Sequence, residues 1–249
     1  KMAYLQAKQR VFRGAKHVVI NDDEVLSQPL ATIDMKLVHF GLSGPDLKKF
    51  SINERNGERF LSLGFDDLLP VSEVKLKGQH NLSNALAALA LGSVMGIPTT
   101  IMLETLKTYK GLPHRCEYLR TMNRVDYIND SKGTNAGATV TAIKSFGEES
   151  SGKVVLIAGG ESKEADLTPL VKPMAKFGKL AILIGADAEK IEQVLSSTVE
   201  IKKVVSLEQA VQLAHQLAEP GDVVLLSPAC ASFDMFNSYT HRGEVFSKE

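Results

Sequence analysis

The sequence predicts an α/β protein whose C-terminal part is a doubly wound, mostly parallel, Rossmann-like sheet, and two observations carry that prediction. Beyond residue 112, continuous apolar runs alternate with segments of helical length and periodicity. Runs without polar alternation belong to strands covered on both faces, and the intervening helices are the available cover.

The first element suggested is an amphipathic helix, with Leu5, Val11 and Phe12 among basic residues and Gly14 as its stop. "HVVIN" (17–21) reads as a short buried strand. From Ile33 to Val74, short alternating runs broken by Gly-Pro and Asn-Gly read as small strands and a hairpin. "NLSNALAALALGSVMG" and "TTIMLETLKTY" follow as helices. Gly111 and Pro113 punctuate the chain, so a boundary is placed near Leu112, giving domains 1–111 and 112–249. In the second domain "CEYLRTMNRVDYIND" predicts two strands around Asn123-Arg124, and a helix covers 135–146. Strands "KVVLIAGG", "KLAILIG", "KKVVSL" and "DVVLLSP" then alternate with helices "LTPLVKPMAKF", "AEKIEQVLSS" and "LEQAVQLAHQLA". A last helix is expected within "SFDMFNSYTHRGEVFSKE".

Composition narrows the function classes. The 249 residues are 44% hydrophobic and 23% charged, ordinary for a globular protein with real cores. Lys+Arg and Asp+Glu balance at 29 each, so no net field favours nucleic acid or a lipid surface. Cys116 and Cys230 are far apart and lack metal-ligand spacing, which suits a reducing, cytoplasmic compartment better than a disulfide framework. No apolar run reaches the roughly 18–20 residues of a membrane span. The opening "KMAYLQAKQRVFRGAK" reads as mid-helix, so a piece of a longer chain is expected. A monomer is expected as well.

Ligands of such a sheet bind beyond the carboxyl ends of its strands. Three polar stretches fall there: "NDSKGTN" (129–135), "GGESKEADLT" (159–168) and "SPACASFDMF" (227–236). Two readings stay open. Asp130, Ser131, Thr134 and Ser232 suit helix caps, with Gly159-Gly160 a tight turn. Equally, backbone N–H groups at helix starts, with Lys132 and Lys163, suit an anionic ligand. "GEESSGKV" (147–154) mimics a P-loop, but Val154 replaces the hydroxyl residue and the stretch precedes its strand, so it is rejected. Asn81 and Asn84 share a helical face beside His80, fitting either a cap or the edge of a base. His114 and Arg115 stand at the expected hinge, where an arginine is a surface residue or a phosphate contact. Spacing alone gives Lys8 no special role.

"GQHNLSNALAALAL", "GLPHRCE", "YINDSKGTN", "LIAGGESKEADLTPL" and "LLSPACASFDMF", in this order, resemble the Mur ligase family. These are ATP-dependent amino-acid ligases of peptidoglycan precursor synthesis. The ending "SFDMFNSYTHRGEVF" is similar to the member that adds D-glutamate, and no Asp-Asn-Pro-Arg motif of the lysine- and diaminopimelate-adding members occurs. The resemblance implies that residues 1–111 are the later part of a P-loop-type central ATPase domain, the P-loop itself preceding Lys1. It implies that 112–249 form the domain that binds the amino acid. The substrates implied are ATP, UDP-N-acetylmuramoyl-L-alanine and D-glutamate, with Mg²⁺. Lys8 then resembles a lysine carbamylated to bind the metal. Asn81, Asn84, Arg115 and Asp130 resemble ATP contacts, and Lys132 with His114 resembles catalytic residues. Thr134, Lys163 and Ser232, with the backbone N–H groups of Phe233 and Tyr239, resemble the D-glutamate pocket. A folylpolyglutamate-type ligase and a stand-alone binding module are the alternatives.

Overall fold

The computed structural model describes residues 2–24, 28–29, 35–76 and 78–249, with side chains from residue 6 onward. Ile33 and the side chain of Leu5 lie outside the described residues. The chain divides into two compact units, Lys1–Lys110 and Gly111–Glu249.

In the first unit, helix α1 (Met2–Gln9) passes into a 3-10 turn, Arg10–Phe12, so the α-helix ends earlier than the sequence suggested. Strands β1 (His17–Asn21), β2 (Lys36–Phe40), β3 (Lys49–Arg55), β4 (Glu58–Leu63) and β5 (Asp66–Pro70) lie side by side in chain order. β1, β2 and β3 are parallel, and β3, β4 and β5 form an antiparallel meander. Asn56 and Gly57 turn β3 into β4 with φ of 55° and 81°, the primed geometry that suits strand twist. Helix α2 (Gln79–Val94) buries Leu82, Ala85, Leu86, Leu89 and Ala90, one stripe at three- and four-residue spacing. That stripe packs on Phe40, Phe50, Ile52 and Leu61, and helix α3 (Thr99–Thr108) adds Met102, Leu103 and Leu106. Asn81 does not cap α2. Gly78 holds that position at φ 103°, and Asn81 sits inside the first turn, its N–H donating to the Gly78 carbonyl at 2.9 Å.

The second unit is a three-layer sandwich around a six-stranded sheet. In chain order its strands are β6 (Glu117–Met122), β7 (Val125–Asn129), β8 (Val154–Gly159), β9 (Gly178–Ile184), β10 (Glu200–Lys203) and β11 (Val223–Leu226). Across the sheet they run β10-β9-β8-β11-β7-β6, all parallel except the edge strand β6. β8 explains the unbroken apolar run. Val154, Leu156 and Ala158 enter the core on one face, and Val155 and Ile157 enter the core on the other. Helices α4 (Ala136–Glu149), α5 (Val171–Phe177) and α6 (Ala188–Leu195) cover the first face. Helices α7 (Leu207–Leu217) and α8 (Tyr239–Lys248) cover the second.

Two expected elements of this unit are corrected. "KKVVSL" is not a strand throughout: β10 ends at Lys203, and Ser206 caps α7 by accepting from the Gln209 N–H. Capping satisfies a helix-end donor that a longer strand would leave orphaned. The "LTPLVKPMAKF" segment opens as a 3-10 turn over Thr168–Leu170 before α5. The last helix lies where it was expected, starting at Tyr239 and capped by Ser238, whose hydroxyl accepts from the His241 N–H at 3.0 Å. The rejected P-loop mimic indeed spans the end of α4 and the approach to β8.

Gly159 and Gly160 leave β8 at φ 130° and 123°, where a Cβ would collide with the backbone oxygens of Ile184 and Ala231 respectively. Gly160→Ala is therefore expected to destabilise the second unit by about 2–4 kcal/mol. Gly96→Ala, at φ 73° but with nothing within 4 Å, should cost only about 1 kcal/mol. Urea midpoints of the two variants measure the difference, and equal shifts would contradict this packing.

Candidate functional site

β8, β11 and β7 are neighbours in the sheet, so the three polar stretches emerge side by side from one edge. Short backbone bridges join them. The Ala229 N–H donates to the Gly133 carbonyl at 2.9 Å, and the Gly159 N–H donates to the Pro228 carbonyl at 2.9 Å. Glu161 and Ala231 exchange N–H···O bonds at 3.0 and 2.9 Å.

Arg242, one turn into α8, ties all three together from inside. It is 1% exposed. Nε donates to Ser131 Oγ at 3.0 Å, and Nη2 donates to the Ser131 and Cys230 carbonyls at 2.9 and 3.2 Å. Nη1 reaches the Cys230 and Gly159 carbonyls at 3.3 and 3.4 Å. Burial pulls its pKa down to about 10, which still leaves it charged at neutral pH. Sequence reasoning did not single out Arg242. Its partners are carbonyls scattered over the chain, and an arginine in the first turns of a short helix carries no local signal of that.

The first stretch carries Asp130, Lys132 and Thr134, and packs beside His114 and Arg115. Asn135 caps α4, its side-chain oxygen accepting from the Ala138 N–H at 3.0 Å, so neither Asp130, Ser131 nor Thr134 serves as that cap. Asp130 is buried instead. Its Oδ1 accepts from the Cys116 N–H at 3.2 Å and its Oδ2 from Ser227 Oγ at 2.7 Å. Burial raises its pKa above the usual carboxylate range despite these bonds and the charge of exposed Arg115. Lys132 donates its N–H to the His114 carbonyl at 3.0 Å and places Nζ 4.0 Å from the centre of the Tyr239 ring. His114 stands at φ 62°, its Nδ1 3.1 Å from Asn129 Nδ2 and its ring edge-on to Tyr239 at 6.3 Å. Thr134 is half-buried, its N–H donating to the Lys132 carbonyl at 2.8 Å.

The second and third stretches meet at Lys163 and Phe233. Lys163 is exposed, at φ 49°, with Nζ 5.7 Å from the centre of the Phe233 ring. Ser232 is buried beneath them, and its carbonyl accepts from the Met235 and Phe236 N–H groups at 3.2 and 2.8 Å. Asp187, unnoticed in the sequence, anchors this loop. Its Oδ2 accepts from the Ser162 N–H and Oγ at 2.6 and 2.7 Å, while Lys190 Nζ lies 2.9 Å from Oδ1. The Ser162 backbone bond, then Lys190, holds its carboxyl down at about 2.

The remaining candidates lie in the first unit. Lys8 is exposed on α1. Asn81 and Asn84 line a cavity of about 90 Å³ with Val74, Leu106 and Tyr109. That is well below the roughly 300 Å³ at which small-molecule pockets begin, so this cavity does not enclose a nucleotide. Among the described residues no three His, Cys, Asp or Glu side chains cluster as a metal site. No helix among them is long and apolar enough to cross a membrane.

A parallel sheet whose adjacent strand ends gather lysines, small residues and helix starts defines a doubly wound α/β domain of the kind that places its ligands beyond the strand ends. The chain belongs to the Mur ligase family. Residues 1–92 match the Mur ligase middle domain, and residues 114–230 match the Mur ligase glutamate ligase domain. The UDP-N-acetylmuramoylalanine–D-glutamate ligase of Pseudomonas syringae pv. tomato is 50% identical over 99% of this chain and 55% of its own length. The same ligase of Legionella pneumophila (strain Paris) is 48% identical over 98% of this chain and 55% of its own length. The chain thus spans about half the length of the curated relatives it matches. Among solved structures, UDP-N-acetylmuramate-alanine ligase MurC from Thermotoga maritima superposes with a TM-score of 0.68 at 18% identity. That match covers 99% of this chain and 54% of MurC, and it speaks for the fold.

Two expectations follow. Arg242→Met should cost about 3–5 kcal/mol in chemical unfolding of the second unit, because it strands buried carbonyls and removes the tie between loops. Arg242→Lys, with one point charge for a fork of donors, should recover less than half of the loss, and full recovery would refute the tie. Asp187 has a folded pKa below its unfolded value, so its stabilising effect is complete above roughly pH 4 and is lost as pH falls toward about 2. A ¹³C carboxyl titration should place its midpoint near 2, and an ordinary midpoint near 4 would contradict the Ser162 contacts.

Proposed function

We propose that this chain forms the later part of an ADP-forming ligase that joins D-glutamate to UDP-N-acetylmuramoyl-L-alanine. The observation that carries the reading is the convergence of the three rims, two bearing a lysine, in a chain half identical to ligases of that name. In this reading ATP phosphorylates the terminal carboxylate of the nucleotide substrate, giving an acyl phosphate and ADP. The D-glutamate amine attacks the carbonyl, and the tetrahedral intermediate collapses with loss of phosphate.

Each step moves negative charge, so positioned cations and N–H donors matter more than covalent help from the protein. Lys132, at the rim but not ion-paired to a carboxylate in the described residues, is assigned to the transferring phosphoryl group. Lys163 and Thr134, with Ser232 and the N–H groups of Phe233 and Tyr239, are assigned to the D-glutamate carboxylates. Arg115 is assigned to ATP. Asp130, with both oxygens engaged inside the chain, supports that role by fixing the Arg115–Cys116 backbone. Asn81 and Asn84 are assigned to the adenosine on the first unit. Among the described residues no three His, Cys, Asp or Glu side chains cluster to hold Mg²⁺, which when bound would neutralise phosphate charge. Lys8, once carbamylated, would supply one oxygen ligand.

The test is an assay of the full-length protein with ATP, UDP-N-acetylmuramoyl-L-alanine and D-glutamate. Formation of the D-glutamyl amide with ADP and phosphate is expected, and no amide would end the reading. Lys163→Ala should raise KM for D-glutamate by roughly tenfold to a hundredfold, the loss of one charge-assisted hydrogen bond. Lys132→Ala should lower kcat by roughly a hundredfold or more. Normal kinetics in either variant would withdraw that residue's role.

A further inference from the structure

The ring of Tyr239 stands between Lys132 and His114, in a place that the backbone role assigned to Tyr239 does not use. Lys132 Nζ lies 4.0 Å from the ring centre, close enough for a strong cation–π contact. The His114 ring meets the same ring edge-on, at 6.3 Å and 79°. Neither partner is free to drift. Tyr239 is fixed by its carbonyl, which accepts from Ser131 Oγ at 2.7 Å, the same hydroxyl that receives Arg242 Nε at 3.0 Å. His114 is fixed at φ 62°, with Asn129 Nδ2 at 3.1 Å, against Gly243, where a Cβ would run into the imidazole. The backbone closes the arrangement, since the Lys132 N–H donates to the His114 carbonyl at 3.0 Å.

We propose that the Tyr239 aromatic ring, braced by His114, is the seat that holds the Lys132 ammonium at the rim, which makes both positioning residues for the reaction. This rests on the role proposed above for Lys132, and it reassigns His114 from a catalytic group to a brace acting through Tyr239. The chemistry favours a ring over a carboxylate. A carboxylate seat would neutralise the ammonium and compete with an incoming phosphoryl or carboxylate anion. A π face attracts the cation through its quadrupole without neutralising it, and leaves the N–H donors that point away from the ring for the ligand. The phenolic hydroxyl has no part in this, so phenylalanine should serve as well as tyrosine.

The experiment reads the seat separately from the reaction. With lysines reductively ¹³C-methylated, the Lys132 methyl resonance, assigned by its loss in Lys132→Arg, should be shifted upfield by the ring current. Tyr239→Phe should keep that shift, and Tyr239→Leu should abolish it. In the full-length protein the kinetic comparison is between Tyr239→Leu and Tyr239→Phe, which differ in the ring and not in the backbone N–H. Tyr239→Leu should lower kcat roughly threefold to tenfold with little change in KM for the uridine nucleotide, an effect of the size of one cation–π contact. His114→Ala should reduce the Lys132 shift without removing it. A Lys132 resonance indifferent to Tyr239→Leu would overturn the seat. A lost shift with unchanged kcat would overturn its part in the reaction. If Lys132→Ala itself leaves kcat normal while the shift behaves as expected, it is the role given to Lys132 that fails, and the seat stands as a structural contact. Thermal unfolding of Tyr239→Leu with the same midpoint as Tyr239→Phe keeps a kinetic loss from being an unfolding artefact, and a large drop in that midpoint would count against the seat as the cause.

Discussion

The second unit depends on one buried cation. Arg242 carries a charge into the interior, where desolvation works against it, and meets carbonyl dipoles rather than a carboxylate at bonding distance. Such a charge persists only where several oriented acceptors surround it. The acceptors belong to Ser131, Gly159 and Cys230, one from each strand-end stretch. The guanidinium therefore converts three separate loops into a single floor. Because Arg242 rides on α8, the position of that helix, and with it Tyr239, is set by the same bonds.

Strand order makes this economy possible. β11 inserts between β8 and β7, so the last strand of the chain brings its exit loop between two that were laid down earlier. Close approach then becomes the constraint. Gly159 and Gly160 pass against the Ile184 and Ala231 carbonyls with no room for a Cβ, and Ala229 accepts φ 60° to let its N–H reach the Gly133 carbonyl. Backbone density at the strand ends leaves few side chains above the floor. Lys132 over Tyr239 and Lys163 over Phe233 are two contacts that tie a lysine of one loop to a ring from another.

The sequence made legible what has a period. Unbroken runs such as "VVLIAG" could only be strands covered on both sides, and the Asn56-Gly57 turn announced its hairpin. The rims were legible as positions, because ligand sites follow strands in such sheets. Their internal wiring was not. Asp130 has the composition of a cap or ligand contact, yet it is buried and bonded to Cys116 and Ser227, far from it in sequence. Ser206 took residues from a plausible strand because a capped helix end leaves no orphan donor. Arg242 and Asp187 stayed hidden because long-range partners give a single residue no local pattern.

The lysines of the second unit have two kinds of partner. Lys179, Lys190 and Lys203 are paired with Asp222, Asp187 and Glu192 at 2.9, 2.9 and 2.7 Å. Their charges are neutralised locally, and they serve as struts. Lys132 and Lys163 instead lie over the rings of Tyr239 and Phe233, residues from elsewhere in the chain, while Lys176 over Phe177 is a contact between sequence neighbours. A lysine held over a ring keeps its charge outward, and the residues that hold it come from the C-terminal stretch that Arg242 fixes in place. The buried cation thus governs the outer one: by fixing α8 to the strand ends, Arg242 decides where Tyr239 stands and therefore where the Lys132 ammonium is held.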